Sequence, residues 1–386
     1  MALFIIIFSV SLGFSIVNPF LPIYMTHIGA GGISIAFIFS GYSFSKILFT
    51  PFLGRLSDCK GRINLIILGL LIYSFVSLCY LCMPNNVTLL IILRLTQGIG
   101  AALVRPIALA LVGERAPQNR EGTVMGAFDV SFYAALSMGP IVGGFIKDLF
   151  GFPGIFGLLF ALCTFSLLIA FFGISGADEP IKASKKNTVD YRMIIESRTI
   201  LSLFFFIFTR SFGISVFAVF LPIIMNSDLH FSSLQIGVIM ASGSTLTALL
   251  LRPIGKMSDK LNRRALITIG GGAAALFTFL LPFAVGFWHL LVLSSCIGSF
   301  SALSLPSSSA LLIAEGNRYG IGMTMGLFNS IMGIGFVAAP LVGGFLIGMG
   351  GQGIVFHAAG LIGFLGVCFF CLLNRASGPK TILIRN

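Results

Sequence analysis

Apolar residues run along this chain in long blocks separated by short polar stretches. Twelve such blocks stand near 3–25, 33–53, 63–83, 88–112, 122–146, 153–174, 199–225, 233–254, 265–285, 288–313, 321–347 and 353–374. Each reaches the ~20 apolar residues that an α-helix needs to cross a bilayer core. A membrane barrel would instead show segments of about ten residues alternating between lipid and lumen faces, and no such alternation is visible. The pattern predicts an all-α polytopic membrane protein with twelve transmembrane helices.

The pattern is also written twice. "GFSIVNPFLPIYM" at 13–25 returns as "GISVFAVFLPIIM" at 213–225, an offset of 200. Gly98, Ala102, Leu103 and Pro106 return at the same offset as Gly298, Ala302, Leu303 and Pro306. Met125, Gly126, Phe128, Pro140, Val142, Gly143 and Gly144 return as Met325, Gly326, Phe328, Pro340, Val342, Gly343 and Gly344. Register held over that distance predicts two pseudo-symmetric six-helix halves, 1–174 and 199–374. The charged stretch 175–198 then reads as a cytoplasmic linker and 375–386 as a cytoplasmic tail.

Composition agrees: 57% of the 386 residues are hydrophobic and only 9% charged. Lys and Arg number 24 against 12 Asp and Glu, a net charge of +12. The basic residues fall in the loops after even-numbered spans, at Arg55, Lys60 and Arg62, Arg115 and Arg120, the linker, Lys256 to Arg264, Arg318 and the tail. Loops at the opposite end carry only Lys147. The positive-inside rule places the basic end, with both termini, in the cytoplasm. Charge divided among short loops forms no face for nucleic acid. "MALFIIIFSV" has no charged segment ahead of its apolar run, which continues to Met25, so it reads as a first span rather than a cleaved signal.

Catalytic chemistry finds little support. The seven cysteines lie mostly inside spans, where they serve as small apolar filler. The four histidines fall near the outer ends of spans, with no His-Glu-x-x-His and no Gly-x-Ser-x-Gly. No catalytic residue, metal site or cofactor is expected.

One knot of charge interrupts the apolar blocks. "GRLSDCKGR" at 54–62 returns as "GKMSDKLNRR" at 255–264. A loop that only sets topology needs basic residues, but not this spacing of Gly54, Asp58, Gly61 and Arg62, echoed by Gly255, Asp259 and Arg263. Glycine suits a tight turn or a close backbone approach, and Asp58 suits a helix N-terminus and a pairing with Arg62 or Lys60. The stretch resembles the Gly-x-Leu-x-Asp-Arg-x-Gly-Arg loop of the major facilitator superfamily, with Cys59 at a usually basic position and Asn262 replacing the second-half glycine. "RLTQGIGAA" at 94–102 resembles that family's Arg-x-x-Gln-Gly motif, carried here by Arg94 and Gln97. "GPIVGG" at 139–144, with Gly139, Pro140, Gly143 and Gly144, is similar to the Gly-Pro motif of its twelve-span drug and metabolite exporters. "APLVGG" at 339–344 keeps Pro340, Gly343 and Gly344.

The resemblance implies alternating access: two halves rock about a site near the bilayer midplane. It implies a monomer in a bacterial plasma membrane that moves a small molecule at the expense of the proton gradient, with the Gly-Pro motif favouring export. Asp58 and Asp259 would then hold the cytoplasmic side closed when the cavity faces outward. Uptake of an organic anion, and a sensor or assembly partner that transports nothing, are the alternatives.

Ionisable residues inside spans are costly and usually face a cavity or a partner. Well inside their spans stand Lys46, Arg94, Arg105, Asp129 and Arg210, four cations against one acid. Lys46, Arg105 and Asp129 lie roughly 10–12 Å from the cytoplasmic ends of their spans and Arg210 nearer the middle. Arg105 and Asp129 match in depth on consecutive antiparallel spans, which predicts a pair, either a fixed helix lock or a titrating switch. Asn329 and Val10 occupy the repeat positions of Asp129 and Arg210, so neither charge is duplicated. Asn18 is the polar residue of a first span that carries no acid. The cation excess points to an anionic or zwitterionic substrate.

Overall fold

The computed structural model describes residues 2–82, 86–115, 121–173, 197–316 and 321–375. The side chains of Asp58 and Asp259, nearly all of the predicted linker and the tail beyond Arg375 lie outside the described residues. In a bilayer each backbone amide and carbonyl must be satisfied within its own segment, which makes helices of apolar blocks. The first span is split into α1 (Ala2–Val17) and α2 (Leu21–His27). Pro19, which has no amide hydrogen to continue the ladder, sits in the break, and Pro22 enters the first turn of α2. The seventh span, α7 (Arg198–Ser227), has Ala218 and Val219 at the repeat positions of Asn18 and Pro19 and stays continuous.

The other helices are α3 (Gly32–Lys60), α4 (Arg62–Cys82), α5 (Val87–Glu114), α6 (Glu121–Gly173), α8 (Ser233–Lys260), α9 (Arg263–Leu280), α10 (Phe287–Gly316), α11 (Ile321–Gly350) and α12 (Gly353–Arg375). α6 holds 53 residues, far more than one crossing requires, and contains the fifth and sixth predicted spans. It turns back at Gly151, whose φ of 66° and ψ of −162° are non-helical. Gly351, between α11 and α12, takes φ 82° at the same repeat position. Only glycine adopts that region without a Cβ penalty, so both six-helix halves make their last turn with the same device.

The charged stretch differs from expectation. α3 does not stop at residue 53 but continues to Lys60, and α8 continues to Lys260, so the acidic and basic positions lie in the last turns of helices. Gly54 and Gly255 have nothing within 4 Å of a built Cβ, and neither ends a helix nor admits a neighbour. Gly61, with φ 91°, makes the turn. In the second half the Asn262 side chain accepts from the Arg264 amide at 3.0 Å and caps α9, so capping chemistry replaces the glycine.

Helices meet through small residues, as expected where lipid removes any hydrophobic drive between them. A side chain at Gly98 would overlap Ser45 Oγ and the Tyr42 carbonyl, and one at Gly298 the Gly243 carbonyl. Ser15 donates to the Leu136 carbonyl at 3.2 Å and Ser215 to the Phe336 carbonyl at 3.4 Å, one hydrogen bond repeated in each half. Outward side chains are greasy: Phe145, Phe172, Leu249, Trp288 and Leu365 are all exposed and suited to lipid contact.

Candidate functional site

Arg105 and Asp129 pair between α5 and α6, with Lys46 of α3 within electrostatic reach of Arg105 and Arg210 of α7 within reach of Tyr133. On α5, Arg105 Nη2 lies 3.2 Å from Asp129 Oδ1 on α6, the pair expected from their matching depth. The guanidinium also stacks on Phe132, 3.7 Å from the ring centroid, a cation–π contact that anchors the side chain. Arg105 and Asp129 keep 37% and 47% of their side-chain surface exposed although they lie inside their spans. Lys46 on α3 is half-buried and feels the like charge of Arg105.

Tyr133, one residue beyond Phe132, feels the charges of Arg105, Asp129 and Arg210 together. It was not singled out in the sequence, where it is one aromatic among many. Its position one helical turn beyond Asp129 puts it on the same helix face, since residues four apart share a face, but does not say what that face meets. Arg210 on α7 has a buried Nε with no hydrogen-bond partner. Arg105, Asp129 and Arg210, from α5, α6 and α7, thus lie within electrostatic reach of Tyr133, and Lys46 of α3 lies within reach of Arg105.

Arg94 belongs elsewhere. It is 1% exposed on α5 and donates to Gln97 Oε1 at 2.8 Å, while Phe14, Phe39 and Tyr42 surround its guanidinium at 5.2–5.7 Å. Its Nε and Nη2 are buried without hydrogen-bond partners. Tyr42 links the two regions, because it lies within electrostatic reach of both Arg94 and Arg105. Asn18 lies at the break between α1 and α2, its amide bonded to the Phe14 carbonyl at 3.0 Å. Phe14 stacks on Tyr42, with centroids 5.1 Å apart.

The Gly-Pro motif of α6 presents two stripes. Side chains at Gly139 and Gly143 would strike Ser15, Ile16 and Phe20 of the first span. Pro140 and Gly144 face α8, where the Pro140 carbonyl abuts Gly237 and Gly144 abuts the Ser233 carbonyl. On α11, Gly343 meets Phe220 and Val355, Gly344 meets the Gly32 carbonyl and Ala36 of α3, and Pro340 is buried. The motif is thus both tight packing and a seam between halves. Ser40 donates to the Val337 carbonyl at 2.7 Å and Ile47 fills the space over Gly333, extending the α3–α11 seam to about mid-depth.

At the basic end Arg62 pairs with Glu114 at the end of α5. An Arg62–Asp58 pair was expected; the Asp58 side chain lies outside the described residues. Arg263 donates to the carbonyls of Ser258 and Ala310 at 3.3 and 3.4 Å, tying α9 to α10 as Arg62 ties α4 to α5. No group of three His, Cys, Asp or Glu side chains suited to a metal occurs among the described residues.

The sequence profile described as Major Facilitator Superfamily matches residues 3–209 and 203–383, one match for each half. The chain belongs to the major facilitator superfamily. Within that superfamily it is 27% identical to the multidrug resistance protein MdtG of Salmonella arizonae, over 94% of this chain and 92% of the relative. Its fold superposes on the nucleoside transporter NupG with a TM-score of 0.82 at 13% identity, covering 96% of this chain and 98% of that one. The human organic anion transporter TETRAN superposes with a TM-score of 0.67 at 18% identity, covering 96% and 98%. As a superfamily member the chain is a multi-pass membrane transporter of twelve spans in two halves, which places the α3–α11 and α6–α8 seams between those halves.

Proposed function

We propose that this transporter exports an amphipathic small molecule carrying negative charge, taken up from the cytoplasm between the halves and released at the far end. The observation that carries the reading is the Arg105–Asp129 pair, with Lys46 within electrostatic reach of Arg105 and Arg210 within reach of Tyr133, three cations against one carboxylate. Cations held inside a membrane protein are expensive unless something compensates them. Asp129 compensates one, so a bound carboxylate, phosphonate or sulfonate would compensate the others. Arg210 suits such a group, because a guanidinium presents a planar fork to two oxygens. Phe132 and Tyr133 supply the apolar flank that the rest of an amphipathic ligand needs.

Export is supported by the resemblance of residues 139–144 to the exporter motif and by the name of the MdtG relative. Cytoplasmic access is supported by the exposure of Arg105 and Asp129 and by seams that run from the far end to mid-depth. Proton coupling would run through Asp129, the acid of the cluster, whose bond to Arg105 is single and long enough to exchange.

The test is a thermal-shift panel on the detergent-purified protein, with organic anions, zwitterions, lipophilic cations and neutral glycosides. A ligand at about 100 times its dissociation constant stabilises by ~2.7 kcal/mol, a shift easily read. Anions are expected to stabilise the wild type and to lose that effect in Arg210→Ala. Stabilisation by lipophilic cations, unchanged in Arg210→Ala, would make the arginines structural. Direction is read in everted vesicles, where export appears as accumulation.

A further inference from the structure

We infer that Asp148 is a one-sided latch that holds the two halves together at the far end of the bundle and must release before that end can open. Its Oδ1 accepts from the Ser233 amide and its Oδ2 from the Leu234 amide, each at 2.9 Å. The neighbouring Lys147 donates to Ser233 Oγ at 3.1 Å and lies over the rings of Phe152 and Phe20, at 4.8 and 5.5 Å. Three hydrogen bonds thus run from the tip of the fifth span to the first turn of α8.

The accounting of that first turn shows why the carboxylate matters. A helix leaves its first four amides without partners inside the helix. Here Ser232 Oγ takes the Gln235 amide at 3.2 Å, and the Ser232 amide is taken by Gln235 Oε1 at 3.0 Å, a capping box. The amides of Ser233 and Leu234 are left over, and the other half of the protein supplies their acceptor. A carboxylate there also faces the positive end of the helix dipole. When the halves part, both amides and the carboxylate must exchange these bonds for water.

The latch sits on a continuous stripe. Pro140, Gly144 and Asp148 recur at intervals of four on α6 and meet Gly237, Ser233 and the α8 amides in turn. The backbone approach at Gly144 is what brings Asp148 within reach. The other seam lacks the device. Gly348 stands at the repeat position of Asp148 with nothing within 4 Å of a built Cβ, and Gly31 begins α3 without a side-chain cap. The α3–α11 seam is held at this end by packing, the α6–α8 seam by packing and a charged clamp.

The inference rests on the alternating-access reading, and its test uses no ligand, so a failed substrate panel leaves it standing. Hydrogen–deuterium exchange is followed by mass spectrometry on the purified full chain, comparing wild type with Asp148→Ala and Ser232→Ala. Asp148→Ala is expected to raise exchange across the far end, in residues 15–20 and 215–220 as well as 233–236, by about tenfold, the shift that ~1.4 kcal/mol gives. Ser232→Ala, which weakens the same helix start without touching the other half, is expected to raise exchange in 233–236 alone. Asp148→Asn keeps one acceptor and should fall between wild type and Asp148→Ala, which also covers the case in which the alanine variant does not fold. Exchange confined to 233–236 in the Asp148 variants, or spread equally by Ser232→Ala, would reduce Asp148 to a helix cap and overturn the latch.

Discussion

Arg105 and Asp129 illustrate what a single residue reveals of its role. Their contact is one 3.2 Å bond between side chains that remain more than a third exposed. We propose that so open a pair is a switch rather than a helix lock. Asp129→Asn is therefore expected to leave the melting temperature nearly unchanged, to abolish gradient-driven accumulation and to spare substrate exchange, all measurable in proteoliposomes. Accumulation at the wild-type rate would remove Asp129 from coupling. The pair itself was legible in the sequence, because depth along antiparallel spans follows from counting residues. The Phe132 ring under Arg105 and the place of Tyr133 were not, because they depend on where side chains point. Arg94 was half legible: Gln97 lies one turn away on the same helix, whereas the three rings around it come from α1 and α3.

Among elements, glycines that look alike in the sequence separate by what they touch. Gly98 and Gly54 both belong to recurring motifs, yet a methyl group at Gly98 would strike the Tyr42 carbonyl and Ser45, and one at Gly54 would meet nothing. Overpacking typically costs about 1–3 kcal/mol, whereas Gly to Ala in an open helix position gains roughly 0.5–1 kcal/mol. Gly98→Ala should lower the melting temperature in detergent and Gly54→Ala should hold or raise it; equal responses would mean that α3 and α5 are not packed as described. Helix ends were the less legible feature. Hydropathy marks where lipid stops, and α3 and α8 continue past that point into the charged stretch. Nothing in the chain requires a helix to end at the membrane surface when water can solvate its last turns.

At the scale of the whole molecule the repeat of 200 residues appears as shared geometry: Gly151 with Gly351, and Ser15–Leu136 with Ser215–Phe336. We propose that function resides where the halves differ. Asn18 and Pro19 break one first span and not the other, and Arg210, Asp129 and Asp148 have no charged counterpart. At the basic end the family resemblance assigns closure to Asp58, and we propose that Asp58→Asn slows transport without loss of fold. Wild-type flux from that variant, with an unchanged melting curve, would dismiss the assignment.

The sequence by itself determined the twelve apolar spans, the two halves, the family and the set of ionisable residues that must lie within the membrane. The spans and buried charges follow from composition along the chain, because a bilayer forces every apolar segment to satisfy its own backbone and makes each buried charge conspicuous, whereas the halves follow from the repeat and the family from the motifs at 54–62, 94–102 and 139–144. The tertiary structure alone decided that Arg94 is caged by Phe14, Phe39 and Tyr42 and that Arg210 comes within electrostatic reach of Tyr133. It also decided that Gly144 brings Asp148 onto α8. These depend on lateral contacts between spans far apart in sequence, where a helix face is chosen by the fit of small residues and backbone rather than by hydropathy.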